Sequence, residues 1–370
     1  MRPLLPLPAA GVALSLTIGA APVTAQSIFD TNVRAGPQYV QYQIKSPVNE
    51  TIAEFTVPVF VVIPVSSALS IDVGTAFAWA RVQPNGGGGA TSETSTINGL
   101  TDTQVRANLT LGTDFVVLTA GLNLPTGQET ASQEEQLAAF RIGNDFLAFP
   151  ISNMGTGFGG TGGIAIARPV GAWNVGFGGS VRLSSSYEPF EDNAGTRPHF
   201  QPGNEYRARL GLDRPFGTGR FAVGVTFSKF GDDDIGGSIY NTGDRYIAQM
   251  GFTNSLGGAN LLVNAWNLYR RSGTIFTGER IGPENITNLL IGIGVRSIGG
   301  VIEPSVELRN WQQEKLSSSM LGTIGLRYSV DASGFTITPS VGYTTGRFAT
   351  SASTANLTGF RGALAIRFGP

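Results

Sequence analysis

The chain has no cysteine and one histidine, His199. The first absence removes any disulfide framework, and the two together remove metal sites of the Cys or His type. Charge is also scarce. Asp, Glu, Lys and Arg make up 14 % of 370 residues, with a net charge of −1, where a soluble domain carries about a quarter. That balance gives no electrostatic case for nucleic acid, so no nucleic-acid partner is expected. Beyond the first 25 residues there is no run of about 18 apolar residues, so no transmembrane helix is expected. No repeat of fixed length points to a propeller or solenoid. Glycine is the abundant residue, at 51 positions.

What the chain does have is a two-residue alternation, recurring in about fourteen to sixteen segments of strand length. Examples are Gln104 to Leu111 and Glu205 to Leu212. Successive strand side chains point to opposite faces, so each segment has an apolar face and a polar one. A soluble sandwich would bury the apolar face; an outer-membrane barrel would turn it to lipid and line a lumen with the polar one. Candidate strands are 38–45, 52–62, 70–82, 103–111, 114–123, 162–169, 173–184, 205–213, 219–230, 245–254, 259–270, 286–297, 301–310, 319–330, 335–346 and 357–368. The first two are the weakest, and the first hairpin could lie outside the barrel.

Connection lengths favour the barrel. Short ones, such as Gly171-Ala172 and Gly299-Gly300, alternate with long ones at 83–102, 124–161, 185–204, 231–244, 271–285, 311–318 and 347–356. Tight turns on one rim and long loops on the other are the pattern of transmembrane barrels. The fold class expected is all-β, a transmembrane antiparallel up-and-down barrel with long external loops. Residues 1–25 read as a secretory signal, with Arg2, an apolar stretch and a small-residue cleavage site at Val23 to Ala25. Residues 26–370 then form one barrel in the outer membrane of a Gram-negative cell. Partners expected on this reading are outer-membrane lipid and lipopolysaccharide, the barrel-assembly machinery and a small-molecule solute. Oligomeric state is left open.

The apolar face includes Phe221, Val223, Val225 and Phe227, and Leu289, Ile291, Ile293 and Val295. Aromatics near strand ends (Trp79, Trp173, Tyr206, Tyr246, Tyr328, Phe360) fit interface girdles. The polar face carries Arg106, Arg182, Arg207, Arg209, Arg220, Arg296, Arg309, Arg327, Arg361 and Arg367, with Asp72, Glu205, Glu303 and Glu307. Facing hydrocarbon, each such charge would cost about 2–4 kcal/mol; beside water or a paired acid it need not. Two readings stand together, a wall stiffened by Arg–carboxylate pairs and a permeation path.

The longest connection, 124–161, has a short helical stretch at 132–140 and an apolar, glycine-rich run from Phe146. A loop of that length is functional more often than incidental. It folds into the lumen as a plug, with Phe146, Phe149, Ile151, Met154 and Phe158 as its apolar residues, or it caps the external rim as a lid. The other chemistry-bearing candidates are weak. His199 shares a loop with Glu191, Asp192 and Ser184 to Ser186, the single opening for an outer-membrane hydrolase. Asp232 to Asp234 lack EF-hand spacing and read as a solvated acidic tip. The glycine run 157–163 lacks the lysine of a nucleotide loop. No catalytic residue, metal or cofactor is expected.

Val57 to Val62, the turn at 64–68, Leu69 to Val73, Asp102 to Leu111, Val116 to Asn123, and Leu124-Pro125-Thr126-Gly127 together resemble the outer-membrane proteins named after the meta-pathway of phenol degradation, which are similar to long-chain fatty-acid transporter barrels. The resemblance covers about 38–130. It implies a barrel that passes small hydrophobic or aromatic compounds and supplies no catalytic residue. The function expected is passive uptake of such solutes, with anionic groups tolerated. The alternative is a structural or partner-binding barrel with a closed lumen. The C-terminal alternation Leu364, Ile366, Phe368 suits barrel assembly, although Gly369 and Pro370 follow the terminal aromatic.

Overall fold

A computed structural model describes residues 32–45, 49–85, 93–112, 115–349 and 353–368. The expected signal segment 1–25 and the Gly369-Pro370 end lie outside the described residues.

Sixteen antiparallel strands close into one barrel. In chain order they are β1 (Asn32–Ala35 continuing as Gln38–Ile44), β2 (Glu50–Pro64), β3 (Leu69–Pro84) and β4 (Ser95–Leu100 continuing as Thr103–Leu111). Next come β5 (Val116–Leu124), β6 (Gly159–Val170), β7 (Trp173–Ser184), β8 (Glu205–Phe216), β9 (Gly219–Phe230) and β10 (Arg245–Leu256). The last six are β11 (Ala259–Arg270), β12 (Glu284–Ser297), β13 (Gly300–Gln313), β14 (Ser319–Ala332), β15 (Phe335–Ala349) and β16 (Thr354–Phe368). Each pairs with its sequence neighbour, and β1 pairs on one side with β2 and on the other with β16. That pairing closes the sheet and places the first hairpin inside the barrel. Closure leaves no edge strand, which satisfies the backbone in a bilayer.

The register fixes the two faces. On β9, Phe221, Val223, Val225 and Phe227 lie outward; Arg220 and Thr226 lie inward, beside Pro215 and Arg209 of β8. Outward aromatics meet across strands in two belts. One holds Phe227, Tyr246 and Tyr269, with successive centroids 4.9 and 6.2 Å apart. The other lies toward the tight turns, where Trp173 meets Phe221 edge-on under Arg214, and Phe335 meets Phe368. Rings at these two levels suit the two headgroup regions.

Five connections of the tight-turn rim, from β6–β7 to β14–β15, have two residues and need a left-handed one, supplied for example by Gly171 (φ 60°) and Gly299 (φ 78°). On the other rim several strands run further than the alternation indicated. Ser95–Leu100 pairs with β3, β13 reaches Gln313, and β15 and β16 pair up to Ala349 and Thr354. The expected long loops 83–102, 311–318 and 347–356 are therefore shorter than read, because paired strand continues past the level where apolar alternation stops. The helix α1 (Gln136–Ile142) starts later than the expected 132–140. The Glu135 carboxylate accepts the Ser132 N–H at 2.9 Å and spends residues 132–135 on a turn.

Candidate functional site

The register puts every expected lumen residue on the inward face: Arg106 opposite Asp72, Arg182 opposite Glu205, Arg207 and Arg209 beside Ser180 and Gly178, Arg296 opposite Val301, and Arg327 opposite Glu303. Several pair at once. Arg327 contacts Glu303 at 2.7 Å, Arg207 contacts Glu205 at 2.7 Å, and Arg220 contacts Asp213 at 2.5 Å. Glu307, 6 % exposed, takes Arg309 at 2.7 Å and Arg361 at 2.8 Å. A carboxylate held by two guanidinium groups ties β13 to β16 across two intervening strands, a stiffening element as much as a charge.

The connection between β5 and β6, residues 125–158, touches the inner wall on many sides. Asp102 holds its base: Oδ1 accepts the Gly127 N–H at 3.1 Å, and Oδ2 accepts the Thr156 N–H at 2.7 Å and Asn123 Nδ2 at 2.8 Å. Both ends of the segment thus close onto one carboxylate. The close approach explains the glycine of Pro125-Thr126-Gly127, since a Cβ at Gly127 would lie 2.2 Å from the Met154 carbonyl oxygen. Further along, Arg141 pairs with Glu50 of β2 at 2.9 Å, and Asp145 with Arg270 of β11 at 2.8 Å. Arg309 donates to the Phe146 carbonyl at 2.9 Å, Tyr42 of β1 donates to the Leu147 carbonyl at 3.1 Å, and the Ile151 N–H donates to Glu54 at 2.9 Å. Those partners stand on β1, β2, β11 and β13, so the segment crosses the interior.

Apolar packing follows the same line. Phe146 is fully buried and stacks on Trp311 (5.5 Å, 24°) and Phe348 (6.2 Å, 13°). Phe149 meets Tyr42 edge-on at 5.4 Å, Met154 is buried, and Ile151 packs against the same cluster. Phe158 departs from the expectation. It is 48 % exposed, because it precedes β6 by one position and shares the outward parity of Gly160 and Ile164.

The segment does not cover the wall evenly. Inward side chains of β1–β4 and β13–β16 are buried beneath it, among them Ile44, Ile52, Ala80, Val82, Leu321, Phe348 and Leu357. At the segment's C-terminal end, Thr161 of β6 and Arg182 of β7 stay exposed although their side chains point inward, and Arg182 donates to Thr156 Oγ1 at 3.3 Å. Inward positions on β7, β8 and β9 there are Gly176, Gly178, Gly211 and Gly224, adjacent in register. Gly176, Gly211 and Gly224 are buried, so neighbouring groups close over that stretch of wall.

Sequence reading missed Arg245, Arg270, Glu50, Glu54 and Asp102. Arg245 and Arg270 are directly opposite each other and inward; the outward Tyr246 and Tyr269 beside them carried that signal. Glu54 is fully buried, and its second oxygen has no hydrogen-bond partner among the described residues. His199 is exposed, and its carbonyl accepts the Gly236 N–H. It belongs to a small external sheet of Phe200–Gln201, Asp233–Ile235 and Ser238–Tyr240. There the acidic tip works locally: Asp232 takes Asn241, Asp233 the Gly203 N–H and Asp234 the Gly237 N–H. Burial pushes the Asp233 carboxyl up, and pushes the Tyr187 phenol under this sheet up to about 12. Among the described residues no group of His, Cys, Asp and Glu could hold a metal ion.

A closed sixteen-stranded barrel with an apolar exterior and a charged interior is an outer-membrane β-barrel, and the bacterial outer membrane is its location. Solved structures share this fold at low identity. CdiB from Acinetobacter baumannii aligns over 90 % of this chain and 60 % of its own, at 10 % identity and TM-score 0.50. An anion-selective porin from Comamonas acidovorans aligns over 92 % and 99 % (12 %, 0.44), and the CymD monoaromatic hydrocarbon channel over 92 % and 88 % (10 %, 0.45). No family model matches the chain, and no curated protein sequence matches it.

Proposed function

We propose that the protein is a passive outer-membrane channel, without enzymatic activity, for small, largely hydrophobic or aromatic solutes, and that anionic groups are accepted. The observation that carries this reading is the uneven cover of the lumen. The 125–158 segment packs over the inner wall of β1–β4 and of β13–β15, while inward Arg182 and Thr161, beside its C-terminal end, stay accessible. A barrel with a purely structural role has no need of an accessible arginine inside its wall. The resemblance of residues 38–130 to the phenol meta-pathway barrels points to the same solute class. The segment narrows the lumen and excludes large solutes; Arg–carboxylate pairs hold the remaining wall open against water.

The test is single-channel conductance of refolded protein in a planar bilayer, with aromatic carboxylates and neutral aromatics added in turn. Discrete openings, blocked or carried by one of those classes, are expected, and removal of residues 131–158 should raise conductance severalfold. A folded barrel silent under all conditions, with or without the segment, would refute the channel and favour the structural barrel.

A further inference from the structure

We propose that the long-loop end of the outward face at β15, β1 and β3 docks the phosphorylated headgroup of lipopolysaccharide, with Arg347 and Lys45 on one phosphate and Arg81 on a second. The inference rests on the outer-membrane location and is independent of the channel reading.

Register and parity carry it. Among the described residues, the outward strand positions hold the cations Arg81, Arg168, Arg214, Lys229 and Arg347 and no Asp or Glu. Inside the wall arginines stand beside carboxylates, as Arg327 does beside Glu303; outside, the strands offer them none. Arg168 and Arg214 belong to the tight-turn end and stack on Phe115 and Trp173. Lys229 falls next in register to Asp244, which contacts Arg271 at 3.8 Å. Arg347 and Arg81 remain, and Lys45 joins them. Lys45 follows Ile44, which is inward and fully buried, and so lies outward; its N–H donates to the Asn356 carbonyl of β16 at 2.8 Å. On its other side Asn356 is directly opposite Arg347. The two cations flank one strand, with Cα atoms about 10 Å apart at the usual strand spacing. Both side chains are exposed and long enough to meet over Asn356.

Arg81 stands two strands beyond Lys45 and four residues nearer the membrane than Asn85, whose N–H donates to the Asn49 carbonyl. That puts it about 16 Å from Lys45 along the sheet, too far for the same phosphate and within reach of another on the same headgroup. Its Nε is shielded and has no hydrogen-bond partner among the described residues. Aromatic rings fix the depth. Tyr343, opposite Phe360, is four residues nearer the membrane than Arg347, and Trp79, opposite Phe55, is two nearer than Arg81. The cations therefore stand just outside an aromatic girdle, where headgroups lie. The bordering connections 45–49, 85–94 and 350–353 contain one carboxylate, Glu93, and Glu314 of the 314–318 loop is held by Arg280 at 3.3 Å. Counter-charge then comes from outside the chain. A glycolipid with phosphates on its sugars supplies it, and outward Gln43, Thr96 and Asn356 between the cations suit the sugar hydroxyls.

The full chain, refolded in detergent micelles, is titrated with one lipid at a time, and the bound fraction is read by native mass spectrometry. Bis-phosphorylated lipid A should reach half-saturation at about one-tenth of the mole fraction that phosphatidylglycerol needs. Lys45→Gln and Arg347→Gln should each raise the lipid A requirement about tenfold, as a charge-assisted hydrogen bond is lost, and Lys45→Arg should restore it. Arg81→Gln should weaken bis-phosphorylated lipid A and leave monophosphoryl lipid A nearly unchanged. Lys229→Gln, the same loss of charge elsewhere on the outward face, should change little, and inorganic phosphate should not displace the lipid. All these positions lie outside the wall, and a heat-modifiable band on gels confirms that each variant is folded. Equal binding of phosphatidylglycerol, an equal loss in Lys229→Gln, or displacement by inorganic phosphate overturns the site.

Discussion

Phe146→Ala tests whether the interior segment is held by packing. The Phe146 ring is fully buried in a three-ring cluster with Trp311 of β13 and Phe348 of β15, and its carbonyl takes a hydrogen bond from Arg309. Truncating a buried phenylalanine to alanine costs about 3–5 kcal/mol in transfer and cavity terms. Here that loss falls on docking of the segment. The barrel wall is a closed hydrogen-bonded ladder that does not depend on Phe146. At about 1.4 kcal/mol per decade, the docked-to-undocked ratio should fall by roughly two to three and a half orders of magnitude. Pairing of Asp145 with Arg270 and the Glu54 bond to Ile151 keep the undocked segment tethered near the wall. Single-channel traces should show frequent excursions to a larger conductance, and limited proteolysis should open new cuts between residues 143 and 151. Phe146→Leu should restore most of the wild-type trace, since it refills much of the cavity beside Trp311 and Phe348. A Phe146→Ala channel with unchanged conductance levels and an unchanged protease pattern would refute the argument.

Three other outcomes follow from the same geometry. Glu54→Leu removes the acceptor for the Ile151 N–H and leaves that donor buried, so undocking should rise by about 1–3 kcal/mol, seen as more open-channel noise than in Glu54→Gln, which keeps an acceptor oxygen. Asp145→Asn takes the anionic partner from Arg270, which retains Glu284 at 3.0 Å; a smaller increase in noise is expected, read in the same recordings. His199→Ala, beside the exposed external sheet, should leave conductance and its block by aromatic solutes as in wild type, and a change in either would reopen a role for this histidine.

Much of the barrel is legible in the chain because alternation is a local property. Whether Arg207 and Arg209 share a face follows from their spacing, and which face they share follows from Ala208 between them and Leu210 and Leu212 beyond. All sixteen candidate segments correspond to strands, and every arginine expected inside points inward. Misreadings gather at the long-loop rim. There β13 and β15 continue beyond their apolar alternation because cross-strand pairing alone extends them. At Phe158 a loop composition masked a residue already in step with β6.

Alternation within the sequence determined the strands, their two faces, the even strand number and the length pattern of the connections, because each needs only neighbouring residues along the chain. Tertiary closure alone decided what the interior contains. Phe146 meets Trp311, Asp145 meets Arg270, and Ile151 meets Glu54 only after the first strand has paired with the last. Those contacts join positions about a hundred or more residues apart, and no local pattern encodes which wall a long apolar loop will reach. The inward positions left accessible, Thr161 and Arg182 among them, are the complement of that docking, and they exist only where the closed wall is wider than the segment that enters it.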